Sequence, residues 1–284
     1  MDYGKMLAFH VEKRADMTVA CIEVPVDDAK GFGVMAVNDE SMVVDFSEKP
    51  EHPTPIPGKP DLALASMGIY IFNMDFLREQ LVRDANDPHS SHDFGKDIIP
   101  YLVSSGYRVF AQSFGSSCIK MDSGEPYWRD VGTIDSYWEA NMELTKVTPD
   151  LNMYDKEWPI WTHQEQLPPA KFVFDDDNRR GQAIDSLVSG GCIISGAVVR
   201  SSLLFSNVRV NSFSNVEDSV ILPNVVIGNN VTLKRTVVDK NCVIPDDLTA
   251  GVDIVEDATR FFVTDKGITL ITPEMLGQDV HGMR

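Results

Sequence analysis

The sequence predicts an α/β domain built on a mixed sheet, followed by a parallel β-helix of hexapeptide repeats. Three observations carry that prediction. Short β-branched runs alternate with helix-period segments through the first half of the chain. Val198, Leu204, Val210, Val216 and Leu222 recur every six residues, and Val225, Val231, Val237 and Val243 repeat the spacing after a phase shift. A parallel row, Val220, Val226, Val238 and Ile244 with Thr232 in the gap, does the same. Neither a helix nor an ordinary sheet gives a period of six. Coils of three short strands, each turning one aliphatic side chain inward, do. The expected divisions are residues 1–150, a connector over 151–183 and the β-helix over 184–284.

In chain order, Tyr3–Glu12 reads as a helix and Thr18–Val24 as a buried strand. Gly31–Val37 is a glycine-flanked strand. Gly33 there is either a turn residue or a place where backbone approaches a ligand closely. Asn38–Ser41 turns the chain back, and Met42–Ser47 returns as a strand that delivers Glu48, Lys49 and Pro50 at its end. A lysine fixed there suits a phosphate as a point charge, although most lysines are simply solvated. The proline-rich stretch Glu51–Asp61 reads as a loop. Leu62–Phe72 reads as a central strand interrupted by Ser66 and Gly68, and a glycine inside a strand marks a close approach. Asp75–Val82 is a helix, and Ser90, Ser91 or Asp93 caps another that runs through Tyr101–Ser104. Tyr107–Phe114 is a strand and Cys118–Met121 a candidate one.

Glu125–Asn141 is the stretch around which the chain is organised. Asp130 precedes Thr133, an N-cap for a helix with apolar Ile134, Tyr137, Trp138 and Met142. A carboxylate just before a helix start is placed to hold a hard cation beside a phosphate, or it is a turn aspartate. Pro149 closes that helix, and Trp158 and Trp161 make the following segment read as a packed connector. Gly267–Gly277 forms a short strand and a helix flanking the coils.

Composition narrows the function classes. Among 284 residues, Asp plus Glu is 43 and Lys plus Arg 25, a net charge of −18, which argues against nucleic-acid or anionic-membrane binding. Four cysteines without a CxxC pair read as free thiols in a reducing compartment. No signal peptide or bilayer-length apolar run is evident, and a cytoplasmic protein is expected.

The segments FGVMAV (32–37), F-x-EKP (46–50), LASMGIYIF (64–72), SSHDFGKDIIP (90–100), EPYWRDVGT (125–133), LPPAKFV (167–173) and DSLVSGGCIISG (185–196) occur in one order along the chain. In them the chain resembles the bacterial ADP-glucose pyrophosphorylase (glucose-1-phosphate adenylyltransferase) family. The resemblance implies a Rossmann-like nucleotidyltransferase domain, here partial, and a left-handed β-helix used for oligomerisation and regulation. It implies transfer of AMP from ATP to glucose 1-phosphate with Mg²⁺, giving ADP-glucose and pyrophosphate for glycogen biosynthesis. Carried over by position, Lys49 would hold the sugar phosphate and Glu48 the glucose hydroxyls. Gly33 and Ser66 would line the sugar site. Asp130 would be one of two catalytic carboxylates on the metal. Lys240 would belong to a regulatory site for a sugar phosphate or AMP, in a homotetramer.

Four departures accompany the resemblance. The family's Gly-rich ATP loop and its second metal-binding aspartate do not occur in these residues. Asn224 and Pro273 stand where an acidic and a basic residue are common. The expectation is a chain that starts inside the catalytic domain, keeps the sugar side of the site and does not turn over ATP alone. The alternative is a non-catalytic piece acting in assembly or regulation. A hexapeptide acyltransferase would need a histidine on the coils, and the six histidines (10, 52, 89, 92, 163, 281) all lie outside the repeats.

Overall fold

The computed structural model describes residues 1–118, 126–157 and 159–278. The candidate strand at Cys118–Met121 and Trp158 therefore fall, wholly or in large part, outside the described residues. The chain divides into two compact units, Met1–Tyr127 and Trp128–Arg284.

The first unit is a mixed sheet in the order β3-β2-β5-β1-β6, with β4 on β5. The strands are β1 Met17–Pro25, β2 Gly33–Val37, β3 Val43–Glu48, β4 Pro55–Ile56, β5 Lys59–Phe72 and β6 Val109–Ser113. Only β1 and β6 run parallel; the other pairs are antiparallel. Held between β5 and β6, β1 is buried over Met17–Cys21, which explains its uninterrupted apolar run. Met17, Val19 and Cys21 share one core with Met35, Phe46, Ile98, Ile99 and Leu102. Helix α1 (Tyr3–Glu12) is capped by Asp2 and turns Met6 and His10 inward, leaving Tyr3, Leu7 and Val11 exposed. Helix α2 covers Met74–Ala85, and α3 (Ile99–Ser104) follows one π turn over Phe94–Ile98.

Two local readings change in this unit. The proline-rich stretch is not all loop, because Gly58 at φ +80° closes a hairpin that lets β5 begin at Lys59. Gly68 does not mark a close approach: a Cβ there would meet nothing within 4 Å. Its φ of +69° is the requirement, at an irregularity where Val19 pairs with Tyr70 and Cys21 with Ser66.

The second unit holds α4 (Ile134–Glu143) and the β-helix. Thr133 and Ser136 form a reciprocal capping box that starts α4. Trp138 Nε1–H donates to the Asp218 carbonyl at 2.8 Å, Thr264 Oγ1 donates to Asp135 at 2.6 Å, and Lys266 donates to Glu139 at 2.7 Å. These bonds fix α4 to the coils, so compactness divides the chain at Tyr127 and not near residue 150. The helix ends at Glu143, before Pro149. The connector is not packed at its tryptophan, since Trp161 is 92% exposed.

The coils begin at Lys171–Val173, earlier than residue 184, with Lys171 paired to Ile193. Val198 pairs with Asn215, Asn215 with Thr232 and Thr232 with Thr249, all parallel, which makes each of these coils 17 residues long. A strict row of sixes cannot persist on such a coil. The fully buried series is Leu204, Val210, Val216, Ile221, Ile227, Leu233, Val238 and Ile244, with one step of five per coil. The sequence row therefore drifts outward. Val198, Leu222 and Val226 are half-buried, and Val243 is 46% exposed. The short step falls beside a stack of hydroxyls: Ser202 Oγ accepts Ser219 N–H at 3.0 Å, and Ser219 Oγ accepts Thr236 N–H at 3.1 Å.

The corners explain the turn residues. Asn207, Asn224 and Asn241 all have φ between +61° and +63°, and their side chains bond in sequence at 3.3 and 3.1 Å. Asparagine tolerates this left-handed backbone better than most residues. A short helix at Ile254–Asp257 and the strands Phe262–Val263 and Thr269–Ile271 complete the described C-terminal part. The expected final helix is a 3₁₀ turn, Glu274–Leu276. No helix among the described residues is long and apolar enough to cross a membrane.

Candidate functional site

The first unit brings Gly33, Glu48 and Ser66 to one end of its sheet. Gly33 on β2 is the register partner of Glu48 on β3. A Cβ on Gly33 would lie 2.9 Å from Glu48 Oε2 and 2.6 Å from Phe46 Cζ. A Cβ on Gly95 would lie 2.5 Å from the same Oε2. The Glu48 carboxylate is thus seated over two bare backbones, and two different segments lack side chains where it lies.

Tyr70 completes this cluster. Ser66 lies close enough to its hydroxyl to lower its pKa, and Ser66 Oγ accepts Gly68 N–H at 3.3 Å. Burial foremost, and then the charges of Glu48 and Asp93, raise the Tyr70 pKa against the lowering effect of Ser66. Tyr70 is therefore a neutral hydroxyl at physiological pH, and its ring stacks on Phe94 at 5.4 Å. A patch with carboxylates, hydroxyls and an aromatic face is suited to a polyol. Tyr70, Asp93 and Gly95 went unrecognised as site residues in the sequence. Tyr70 reads there as one more apolar strand position and Asp93 as a helix cap. Capping is indeed one of its roles, since Asp93 Oδ1 accepts the N–H groups of Gly95 and Lys96 at 2.8 and 2.9 Å.

Lys49 follows Glu48 in an unusual conformation. Its φ is +47°, left-handed for a residue with a Cβ, and its N–H donates to the Phe32 carbonyl at 3.0 Å. Such a backbone costs about 1–2 kcal/mol. Strain of this kind concentrates where a side chain must leave the chain at one place. The ammonium is exposed.

Asp130 and Lys240 belong to the second unit. Asp130 is exposed, and its Oδ1 accepts Gly132 N–H at 3.2 Å in a tight turn before Thr133. Arg129 anchors that turn, its guanidinium 3.4 Å from Glu143 Oε2 and 3.1 Å from Asp150 Oδ2. Among the described residues no group of three or more His, Cys, Asp or Glu side chains forms a metal cage. An exposed hard oxygen beside a helix start still fits Mg²⁺, which commonly takes one or two carboxylates and completes its shell with phosphate and water. Lys240 is exposed, with its N–H on Asp239 Oδ1 at 2.8 Å. Asn224, expected to be acidic in a regulatory site, is here a link in the corner ladder.

Three of the four cysteines are buried and poor nucleophiles. Burial pushes the Cys242 thiol up to about 12 and the Cys21 thiol further still, and Cys192 is raised for the same reason.

A nucleotide-sugar type of sheet domain joined to a hexapeptide β-helix defines the class. The Nucleotidyl transferase family model matches residues 1–147, and the GlmU-like, C-terminal hexapeptide model matches residues 168–271. The first model runs past the division at Tyr127 because it follows sequence, whereas compactness follows the packing of α4. The glucose-1-phosphate adenylyltransferase of Nitrosomonas europaea is 66% identical across all of this chain, which covers 66% of its own length. That of Nitrosospira multiformis is 64% identical, again across the whole chain and 67% of its length. That of Dechloromonas aromatica is 66% identical over 98% of the chain and 63% of its length. The chain belongs to the nucleotidyl transferase family and, within it, to the glucose-1-phosphate adenylyltransferases. It spans about two thirds of the length of the curated relatives it matches.

Proposed function

We propose that this chain supplies the sugar side of an enzyme that transfers AMP from ATP to glucose 1-phosphate, releasing pyrophosphate and serving glycogen synthesis. The observation that carries the reading is the Glu48 carboxylate seated over Gly33 and Gly95, with Ser66, Tyr70 and Asp93 around it and Lys49 next in the chain. Glu48 accepts from the glucose hydroxyls, while Ser66 and Tyr70 supply further hydroxyl partners. Lys49 neutralises the sugar phosphate. Transfer to phosphate is mostly positioning and charge neutralisation, which these groups supply without covalent chemistry of their own.

Mg²⁺ at Asp130, when bound, would neutralise charge on the phosphates. Asp130→Asn should shift stability by no more than about 0.5 kcal/mol, as expected for an exposed side chain. It should weaken Mn²⁺ binding measured by electron paramagnetic resonance in the presence of glucose 1-phosphate. Unchanged Mn²⁺ affinity would remove Asp130 from the metal site.

The two glycines separate function from stability. Gly95→Ala meets the ends of two side chains, Glu48 and, at 3.3 Å, Asp93, so it should displace the Glu48 carboxylate and lower glucose 1-phosphate affinity with little change in melting temperature. Gly33→Ala also meets the buried Phe46 ring and should cost about 1–3 kcal/mol in addition. Calorimetry with differential scanning on both variants checks this. Equal melting temperatures for the two would contradict it.

The Gly-rich ATP loop does not occur in these residues, so the chain by itself should release no pyrophosphate from ATP and glucose 1-phosphate. ADP-glucose formation by the purified 284-residue chain would overturn that point. We carry the family's homotetramer and its regulation by a sugar phosphate or AMP, with Lys240 as one contact, as part of the same reading. Sedimentation, with and without effector, on wild type and Lys240→Ala tests it.

A further inference from the structure

The geometry points to Asp84 as a positioning residue for the sugar site, acting through the loop that carries Asp93 and Gly95. This rests on the glucose 1-phosphate reading above. Asp84 lies in the last turn of α2, where a carboxylate opposes the helix dipole, and it is only 4% exposed. A buried acid in an unfavourable place needs a local reason. Its two oxygens are both engaged by the loop that follows. Ser90 Oγ donates to Oδ1 at 2.7 Å, and His92 Nδ1 lies 2.9 Å from Oδ2. The His92 N–H donates in turn to Ser90 Oγ at 3.0 Å, closing the arrangement.

What the clamp holds is a kink. His92 has φ +59°, a left-handed backbone that a histidine adopts at a cost. The chain leaving that kink is the one that reaches Glu48. Asp93 N–H donates to Asp97 Oδ2 at 3.0 Å, and Ser91 Oγ donates to the same oxygen at 2.7 Å. Gly95 then passes under the Glu48 carboxylate. The hydrogen bonds of Asp84 go to Ser90 and His92, and through them it holds the left-handed turn at His92 from which Asp93 and Gly95 follow.

A glycine at position 92 adopts the left-handed region freely, which gives a direct test. The full chain is prepared as wild type, Asp84→Ala, and Asp84→Ala with His92→Gly. Glucose 1-phosphate and inorganic phosphate are titrated into each, and amide exchange of the segment 92–96 is followed. Asp84→Ala should lose about tenfold in glucose 1-phosphate affinity while inorganic phosphate affinity holds, because Lys49 is untouched. Exchange over 92–96 should quicken. Adding His92→Gly should recover both properties, which a role confined to α2 stability would not allow. Should Asp84→Ala fail to fold, Ser90→Ala removes one of the two bonds and should show the same sugar-against-phosphate split. Wild-type affinity and exchange in Asp84→Ala, or no recovery with His92→Gly, overturns the inference. Absence of wild-type binding to glucose 1-phosphate would instead overturn the function proposed above, and the exchange result then decides the clamp alone.

Discussion

Lys49→Ala is expected to lower glucose 1-phosphate affinity roughly tenfold to a hundredfold while leaving the chain folded. The range follows from a charge-assisted hydrogen bond, which contributes about 1.5–3 kcal/mol. The residue is exposed, and its position is set by the backbone kink at φ +47° and the Lys49 N–H bond to the Phe32 carbonyl. Removing it should therefore disturb little else. Lys49→Arg should recover only part of the loss, because a planar fork replaces a compact charge on the same strained backbone. Titration of the two variants beside wild type reads the effect. Unchanged glucose 1-phosphate affinity in Lys49→Ala would remove Lys49 from the sugar-phosphate site.

Leu233→Ala is expected to damage the β-helix severely, costing about 2–5 kcal/mol against a typical total of about 5–15 kcal/mol. Leu233 is fully buried, within a core that also contains Val216, Ile227 and Ala250. Its register partners are Val216 in the coil before and Ala250 in the coil after. With Ala250 already small, the vacated volume has little to collapse into it. Val243→Ala, at 46% exposure on the sequence-predicted row, should cost far less. Denaturant unfolding of the two variants distinguishes a 17-residue coil from a strict period of six. On a strict period, Val243 would be as costly as its neighbours.

The architecture was legible because each half has its own period. Alternation of short apolar runs with helical segments gave the mixed sheet, and the aliphatic spacing gave the coils. The drift within the coils was harder to see, because a step of five hides when only aliphatic residues are counted. The signal lay in the polar residues: Ser202, Ser219 and Thr236 stand 17 apart, as do Asn207, Asn224 and Asn241. The candidate site was legible in part. Glu48, Lys49, Gly33 and Ser66 stood out by motif. Tyr70 and Asp93 did not, because their meeting depends on the pairing of β1 and β2 with β5, of β3 with β2, and on a kink at His92. Trp161 misled for a simpler reason: a large aromatic is expected to pack, and this one is exposed.

The most direct test of the account is a calorimetric titration of glucose 1-phosphate into the purified 284-residue chain, without ATP. The proposed sugar side lies in residues of this chain, so saturable binding at one site per chain is expected, weakened at least tenfold by Lys49→Ala. No saturable binding in wild type, or binding of equal strength in Lys49→Ala, would contradict the account.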